Sequence, residues 1–385
     1  MPDSELAPRA VRTPTLPTVL RCCTALAATP PRLLRPRRPD RALLAGITLA
    51  DPPPARAEVR LTALTQARTS APEILVAEGV RSLREVPMTY AAFLVEHPRA
   101  RFLVDPAMCA EAQRRVLREL PFPVPLLVGP EKPVRGLADA LAAVGMTGDD
   151  VDFVIATHLH WDHVAGLLEL PGSVPIRLPA IERDWAMDGP RAPLGVARGP
   201  LLGREFDTVE LDGPPVLSFA RSRDLFGDGS VLLVDLAGHT PGSIGVLLAV
   251  DDGTRVLLAG DAVWSNLQVR LLREKAPMPG LLFDADREAA FATIHRLHAL
   301  PAAIEIIAAH DHAAVLARGG RGGPGPPRAA GPASPPARGR PGAGGRGGGA
   351  APGAGGAPPP PGATTAAWAW AAMISIAAGS ACRRW

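Results

Sequence analysis

Cysteine is scarce in this chain: Cys22, Cys23, Cys109 and Cys382 are the four among 385 residues. They are too few and too scattered for a disulfide framework or a cysteine-based zinc knuckle, so a reducing compartment, the cytoplasm, is expected. Long apolar runs are lacking as well. No segment between 58 and 318 approaches the roughly 20 apolar residues that span a bilayer, and the 13-residue run at 366–378 falls short of it too. A membrane partner is therefore not expected, with a weak C-terminal anchor as the exception. The stretch "LPTVLRCCTALAATP" has the Ala-rich end of an export signal, but Arg21 interrupts its apolar part. Acidic residues are missing from 319–385, which carry seven Arg, while 1–57 carry nine Arg against four acids. Of 41 basic and 38 acidic residues, 25 and 34 are left for 58–318, a net of −9. An acidic body argues against a nucleic-acid partner.

What is abundant divides the chain. Residues 1–57 are rich in Pro and Arg ("TPPRLLRPRRPDR", "ADPPPAR") and read as a disordered, flexible arm that leaves room for one short helix. Residues 319–385 read as a low-complexity tail with a short apolar end, since 319–362 hold 17 Gly and 12 Pro in 44 positions with no period of three. Between them, β-rich runs ("RFLVDPA", "DFVIATH", "SVLLVDLAGH", "SIGVLLAV", "RVLLAGDA", "IEIIAAH") are interleaved with helical ones ("MCAEAQRRVLREL", "VRGLADALAAVG", "DREAAFATIHRLHAL"). This alternation predicts an α/β layered domain over 58–318.

In that domain the chemistry-bearing residues recur where a strand ends. His158 follows "DFVIAT", His239 follows "SVLLVDLAG", Asp261 follows "RVLLAG" and His310 follows "IEIIAA". Loops at strand ends, held by a rigid sheet, are where such a domain builds a site. Along an extended segment His158 and His160 point to one side, and a turn after them can bring Asp162 and His163 alongside. Neutral imidazole and carboxylate suit a borderline divalent ion such as zinc. His158, His160 and His239 would fill one site, Asp162, His163 and His310 a second, and Asp261 could bridge the two.

"THLHWDH" at 157–163 resembles the His-x-His-x-Asp-His signature of the metallo-β-lactamase superfamily, and "AGHTPGS" at 237–243, "LAGDA" at 258–262 and "AAHD" at 308–311 resemble its later motifs, in the family's order. "FLVDPAM" at 102–108 resembles its early strand and Asp turn, with Pro106 and Ala107 where Thr and Gly are common. The similarity covers 72–316. It implies an αββα four-layer sandwich with a metal cleft at one edge, and the seven positions above as ligands of two Zn2+ ions, with Fe or Mn as alternatives. It also implies a hydrolase in which a metal-bound hydroxide attacks an ester, lactone or thioester carbonyl. Asp162 would be catalytic, orienting the nucleophile and passing on its proton. A small-molecule substrate follows, and a homodimer is left open.

Within the family, the short spacings from His163 to His239 and from His239 to Asp261 leave no room for the inserted domain of the nuclease branch. Quorum-signal lactonases typically carry a tyrosine three residues after the bridging Asp; here that position is Trp264, and the single tyrosine is Tyr90. Two other readings are a mononuclear iron persulfide dioxygenase on the same fold and a non-catalytic member. The presence of Asp162, His163 and His310 favours the hydrolase.

Trp161 and Trp264, adjacent to ligand loops, are the candidates for the substrate cleft, and Trp185 reads as core or cleft wall. Gly238 and Gly242 allow the His239 loop to turn closely, with Thr240 and Ser243 in support. His312 reads as a surface residue, His97 as a turn residue, and His295 and His298 as residues of a helix over 286–299 without a functional role. Cys109 reads as buried and inert.

Overall fold

Eleven strands build two sheets in the computed structural model, which describes residues 15–319. The first holds β1 (Arg60–Pro72), β2 (Glu85–His97), β3 (Ala100–Val104), β4 (Phe153–Ile155), β5 (Ile176–Leu178) and β6 (Phe206–Thr208), side by side in chain order. β1, β2 and β3 pair antiparallel, and β3 to β6 pair parallel. The second sheet holds β7 (Ser222–Asp224), β8 (Val231–Asp235), β9 (Ile244–Ala249), β10 (Arg255–Leu258) and β11 (Ile304–Ile307), in reverse chain order across the sheet. Its pairs are antiparallel except β10 with β11.

Side-chain alternation explains why both sheets are covered twice. In β2, Phe93 and Val95 point into the space between the sheets, while Ala92 and Leu94 point outward. Phe102 and Phe153 stack at 4.8 Å in the inner layer and meet Leu233, Val246 and Leu258 from the second sheet. Leu137 and Leu141 of the helix Leu137–Ala142 cover the outer face of the first sheet. Phe291, Ile294 and Leu297 of the helix Arg287–His298, capped by Asp286, cover the outer face of the second. Four layers result, helix, sheet, sheet, helix, as the resemblance implies. Strands buried on both faces read as unbroken apolar runs such as "SVLLVDL", which is why these were the visible ones.

The expectation of an unpacked N-terminal arm fails over 15–57. A helix runs through Thr15–Leu34, and a second, shorter one through Arg41–Gly46. Thr18, Cys22, Ala25 and Thr29 form a buried stripe at helical spacing. Cys22 and Ala25 pack with Met278, Leu282 and Phe283, and Arg21 Nε donates to the Leu281 carbonyl at 2.7 Å. The arginines that make the segment look solvated serve buried carboxylates. Arg32 donates to Glu78 Oε2 at 3.2 Å and to Glu274 Oε1 at 2.7 Å, and the Arg37 backbone N–H donates to Glu78 Oε1 at 2.6 Å. Burial pushes the Glu78 carboxyl up, and the Arg37 N–H and Arg32 work against that. Local composition cannot show such partners 41 to 242 residues away.

The export-like stretch lies within the first helix, and among the described residues no helix is long and apolar enough to cross a membrane. Apart from Gly319, which bridges to Ala63, the expected C-terminal tail lies outside the described residues, as do residues 1–14. Ala25→Glu is expected to peel the first helix away, because it places an unpaired carboxylate in an apolar contact. Limited trypsin digestion checks this: cleavage between Arg32 and Arg41 should become much faster than in the wild type.

Candidate metal centre

Four loops meet at one edge of the two sheets. β4 ends at Ile155 and delivers His158 and His160; the one-turn helix Trp161–Val164 then carries Asp162 and His163. β8 leads to His239, β10 to Asp261 and β11 to His310. The His239 loop depends on Gly238, whose φ is +137° and where a Cβ would stand 2.2 Å from the Ala290 backbone nitrogen. Any side chain there would push the loop off the helix Arg287–His298.

The seven residues fall into two groups, each with its ligand atoms within 4.8 Å of one another: His158, His160 and His239, and Asp162, His163, Asp261 and His310. His160 Nδ1 and His239 Nε2 are 2.9 Å apart. Asp261 reaches both groups. Its Oδ2 lies 3.5 Å from His239 Nε2, and its Oδ1 lies 3.3 Å from His163 Nε2 and 3.1 Å from His310 Nε2, without the alignment of a hydrogen bond. His158 Nε2, His163 Nε2 and Asp261 Oδ1 are buried with no hydrogen-bond partner among the described residues. Leaving three such atoms unsatisfied is costly, and a cation between them removes the cost.

The far nitrogens of the rings decide which lone pairs face inward. His163 Nδ1 lies 2.8 Å from Asp105 Oδ2, His239 Nδ1 2.8 Å from Asp284 Oδ1, and His310 Nδ1 3.0 Å from the Thr89 carbonyl. Each of these acceptors requires a proton on Nδ1, which leaves Nε2 for a metal. Asp105 also receives the Thr157 N–H and hydroxyl, both at 2.7 Å, and so ties the "THLH" turn to the end of β3. Lys275 Nζ donates to Asp284 Oδ1 at 2.8 Å, and Glu182 accepts the N–H groups of Leu159 and Gly242.

Charge differs between the groups. Burial lowers the His160 imidazole to about 3, holds His158 well below its ordinary value, and lowers His239 with help from Lys275. Burial acts the same way on His163 and His310 but is outweighed by carboxylates. Asp105, Asp261 and Asp162 hold His163 well above its ordinary value, and Asp261 and Asp162 raise His310 to about 10. Burial opposes ionisation of Asp284, yet Lys275 and His239 bring it down to about 2. Burial raises the Glu182 carboxyl to about 7.

A cleft of about 60 Å³ opens over both groups, and Trp161 and Trp264 line it as expected. Trp264 does more than form a wall: its Nε1–H donates to Asp261 Oδ2 at 2.8 Å. Trp185 lies beside His160, with ring centroids 5.9 Å apart. Tyr90, distant in sequence from every candidate ligand, also lines the cleft, set edge-on to His310 at 5.2 Å with its hydroxyl donating to the Val128 carbonyl at 3.0 Å. Phe283 adds a further wall. His312 is not a plain surface residue, since its Nδ1 lies 2.6 Å from the Thr89 hydroxyl. His97 is the buried last residue of β2, stacked on Phe226 at 3.9 Å. His295 and His298 satisfy backbone groups outside the cleft, and Cys109 is buried.

Comparison with known proteins agrees with this architecture. N-acyl homoserine lactonase AttM of Agrobacterium fabrum is 29% identical over 150 residues, 38% of this chain and 53% of that protein. Probable metallo-hydrolase Rv2300c of Mycobacterium tuberculosis is 33% identical over 132 residues, 33% of this chain and 42% of that protein. The chain thus spans about half the length of these curated relatives. A solved N-acyl homoserine lactone hydrolase, with the product N-hexanoyl-L-homoserine at its catalytic metal center, superposes with a TM-score of 0.52 at 20% identity. That match covers 66% of this chain and 95% of the other, and shows a shared fold. The model of the metallo-beta-lactamase superfamily matches residues 87–310, more than half of the chain and the whole stretch from Tyr90 to His310 that builds the centre; the chain belongs to that superfamily.

Proposed function

We propose that the chain is a two-metal hydrolase of esters, lactones or thioesters. His158, His160 and His239 hold one divalent ion, Asp162, His163 and His310 hold the other, and Asp261 is shared. The observation that carries this is the placement of Asp261, with one carboxylate oxygen toward each group and unpartnered buried atoms on both sides. The donors are imidazole nitrogen and carboxylate oxygen, which suit zinc and also accept Fe or Mn. Two such ions supply Lewis acidity toward a carbonyl and an acidified water as nucleophile. Asp162, whose Oδ2 is 3.4 Å from His310 Nε2 and which also lines the cleft, is placed to orient that water and carry its proton to the leaving group.

The cleft narrows the substrate. Met88, Tyr90, Leu127, Trp161, Trp264 and Phe283 give it mostly apolar and aromatic walls, which fit a small molecule with an apolar group next to the scissile carbonyl. The lactonase names among the relatives favour a lactone. Because the Trp264 N–H is taken by Asp261, Trp264 acts as a wall and a clamp rather than as a donor to the substrate carbonyl. The filled second group favours hydrolysis over a mononuclear iron oxygenation, which needs only one group.

Elemental analysis of the full chain should find about two zinc ions, and a panel of lactone, thioester and aryl ester substrates should find turnover that a chelator abolishes. His160→Ala should lose an ion and nearly all turnover. Protein with no bound metal and no chelator-sensitive hydrolysis would overturn the reading.

A further inference from the structure

Lysine is nearly absent from this chain: it occurs at 132 and 275 only, among 41 basic residues. Lys275 is also almost fully buried, with 2% of its surface exposed. A buried ammonium must be paired, and its three donor hydrogens on a compact head suit several partners in different directions, where a planar guanidinium would bring five donors to satisfy. Lys275 Nζ donates to Asp284 Oδ1 at 2.8 Å and to the Asp261 carbonyl at 3.1 Å, and it stands over the Trp264 ring at 5.3 Å. Each partner touches the candidate centre. Asp284 orients His239 through Nδ1, the Asp261 backbone carries the shared carboxylate, and Trp264 donates to that carboxylate.

We propose that Lys275 is a positioning residue that fixes the two ligand groups relative to each other, by holding Asp284 on His239 from one side and the Asp261–Trp264 loop from the other. This rests on the two-metal reading above. The segment that carries it is anchored on its other side. Glu78 N–H donates to the Glu274 carbonyl at 2.8 Å, the Ala276 N–H to the Leu75 carbonyl at 3.0 Å, and Arg287 to the Lys275 carbonyl at 2.9 Å. The ammonium is therefore delivered from a fixed backbone, as a positioning role requires.

Lys275→Met keeps length and removes the charge. Zinc affinity, measured on the full chain by competition with a chromophoric chelator, should fall about 10- to 100-fold, the range typical for groups that orient metal ligands. Asp284→Asn should give a similar loss, and the double variant should lose far less than the two single losses combined, because both act through one contact. A folded Lys275→Met protein with wild-type zinc affinity overturns the proposal, as does full additivity in the double variant. If Lys275→Met does not fold, Lys275→Arg is measured in its place: a tenfold or greater loss supports the role, and unchanged affinity overturns it. Zinc binding by the wild type is measured in the same titration. A wild type that binds none overturns the two-metal reading and this proposal with it, whereas two bound zinc ions and an undiminished variant overturn this proposal alone.

Discussion

Asp261→Asn is expected to reduce hydrolysis by on the order of a thousandfold or more, and to lower bound zinc from about two ions per chain to about one, since a lost Lewis acid removes several kcal/mol of transition-state stabilisation. The geometry says which ion leaves. Trp264 Nε1–H donates to Asp261 Oδ2, so an asparagine there keeps its amide oxygen on that side. Its NH2 group then occupies the Oδ1 position, 3.3 Å from His163 Nε2 and 3.1 Å from His310 Nε2. An amide donor placed there takes the lone pairs that the second ion needs, while His158, His160 and His239 are left as they are. The fold should be preserved, because the side chain keeps its shape and its bond from Trp264. Metal analysis, far-UV circular dichroism and turnover on one ester substrate check the three parts. A folded Asp261→Asn protein with two zinc ions and wild-type turnover would remove Asp261 from the shared position.

The chain's own letters show the candidate ligands well and their supports poorly, for physical reasons. The candidate ligands His158, His160, Asp162 and His163 stand within six positions, a density of metal-type donors that a solvated turn rarely has. His239 and Asp261 each follow an inner strand buried on both faces, which reads as an apolar run, while His310 follows the half-buried edge strand β11, where isoleucines flank Glu305. By contrast Asp284 and Lys275 lie in helical connections with no periodic signal, and their role exists only because the chain folds them against His239 and Asp261. The rarity of lysine is the one trace of Lys275 that the sequence holds. Glu182 gives no trace at all: it sits in an amphipathic helix, yet its carboxylate ties together the backbones of the first and second ligand loops.

Strand β2 makes the same point for the cleft. Met88 and Tyr90 are two apart on a strand and so share a face, but which face looks into a cleft depends on the sheet's partners. The distance of Tyr90 along the chain from the ligands therefore carried no information about its distance in space. The helix Thr15–Leu34 was hidden by its own prolines and arginines. Pro30 and Pro31 lie toward its end, and its Arg32 is satisfied by Glu78 and Glu274 and its Arg21 by the Leu281 carbonyl, which local composition cannot reveal.

The two ions should differ in how their binding depends on pH. In the metal-free centre, Asp261 and Asp162 raise His310 to about 10, and Asp105 with the same two carboxylates holds His163 well above its ordinary value. The His310 ring is therefore protonated at neutral pH, and the His163 ring is biased toward the same charge. Their Nδ1–H groups stay donated to the Thr89 carbonyl and to Asp105, so a proton given up to bind a metal is the one on Nε2. An ion entering this group expels at least the His310 proton, so its affinity should rise roughly tenfold or more per pH unit between 7 and 9. His160, lowered to about 3, and His158 and His239, also lowered, are neutral over that interval. An ion entering their group expels about none, so its affinity should be flat there. Zinc calorimetry in buffers of different ionisation enthalpy separates the cases, with one binding event nearly independent of buffer and the other releasing one proton or more. Equal proton release in both events would contradict the charge assignment. Asp261→Asn carries the argument one step further: it removes the carboxylate that does most to hold the His310 proton, so any residual binding at the second group should release fewer protons than in the wild type.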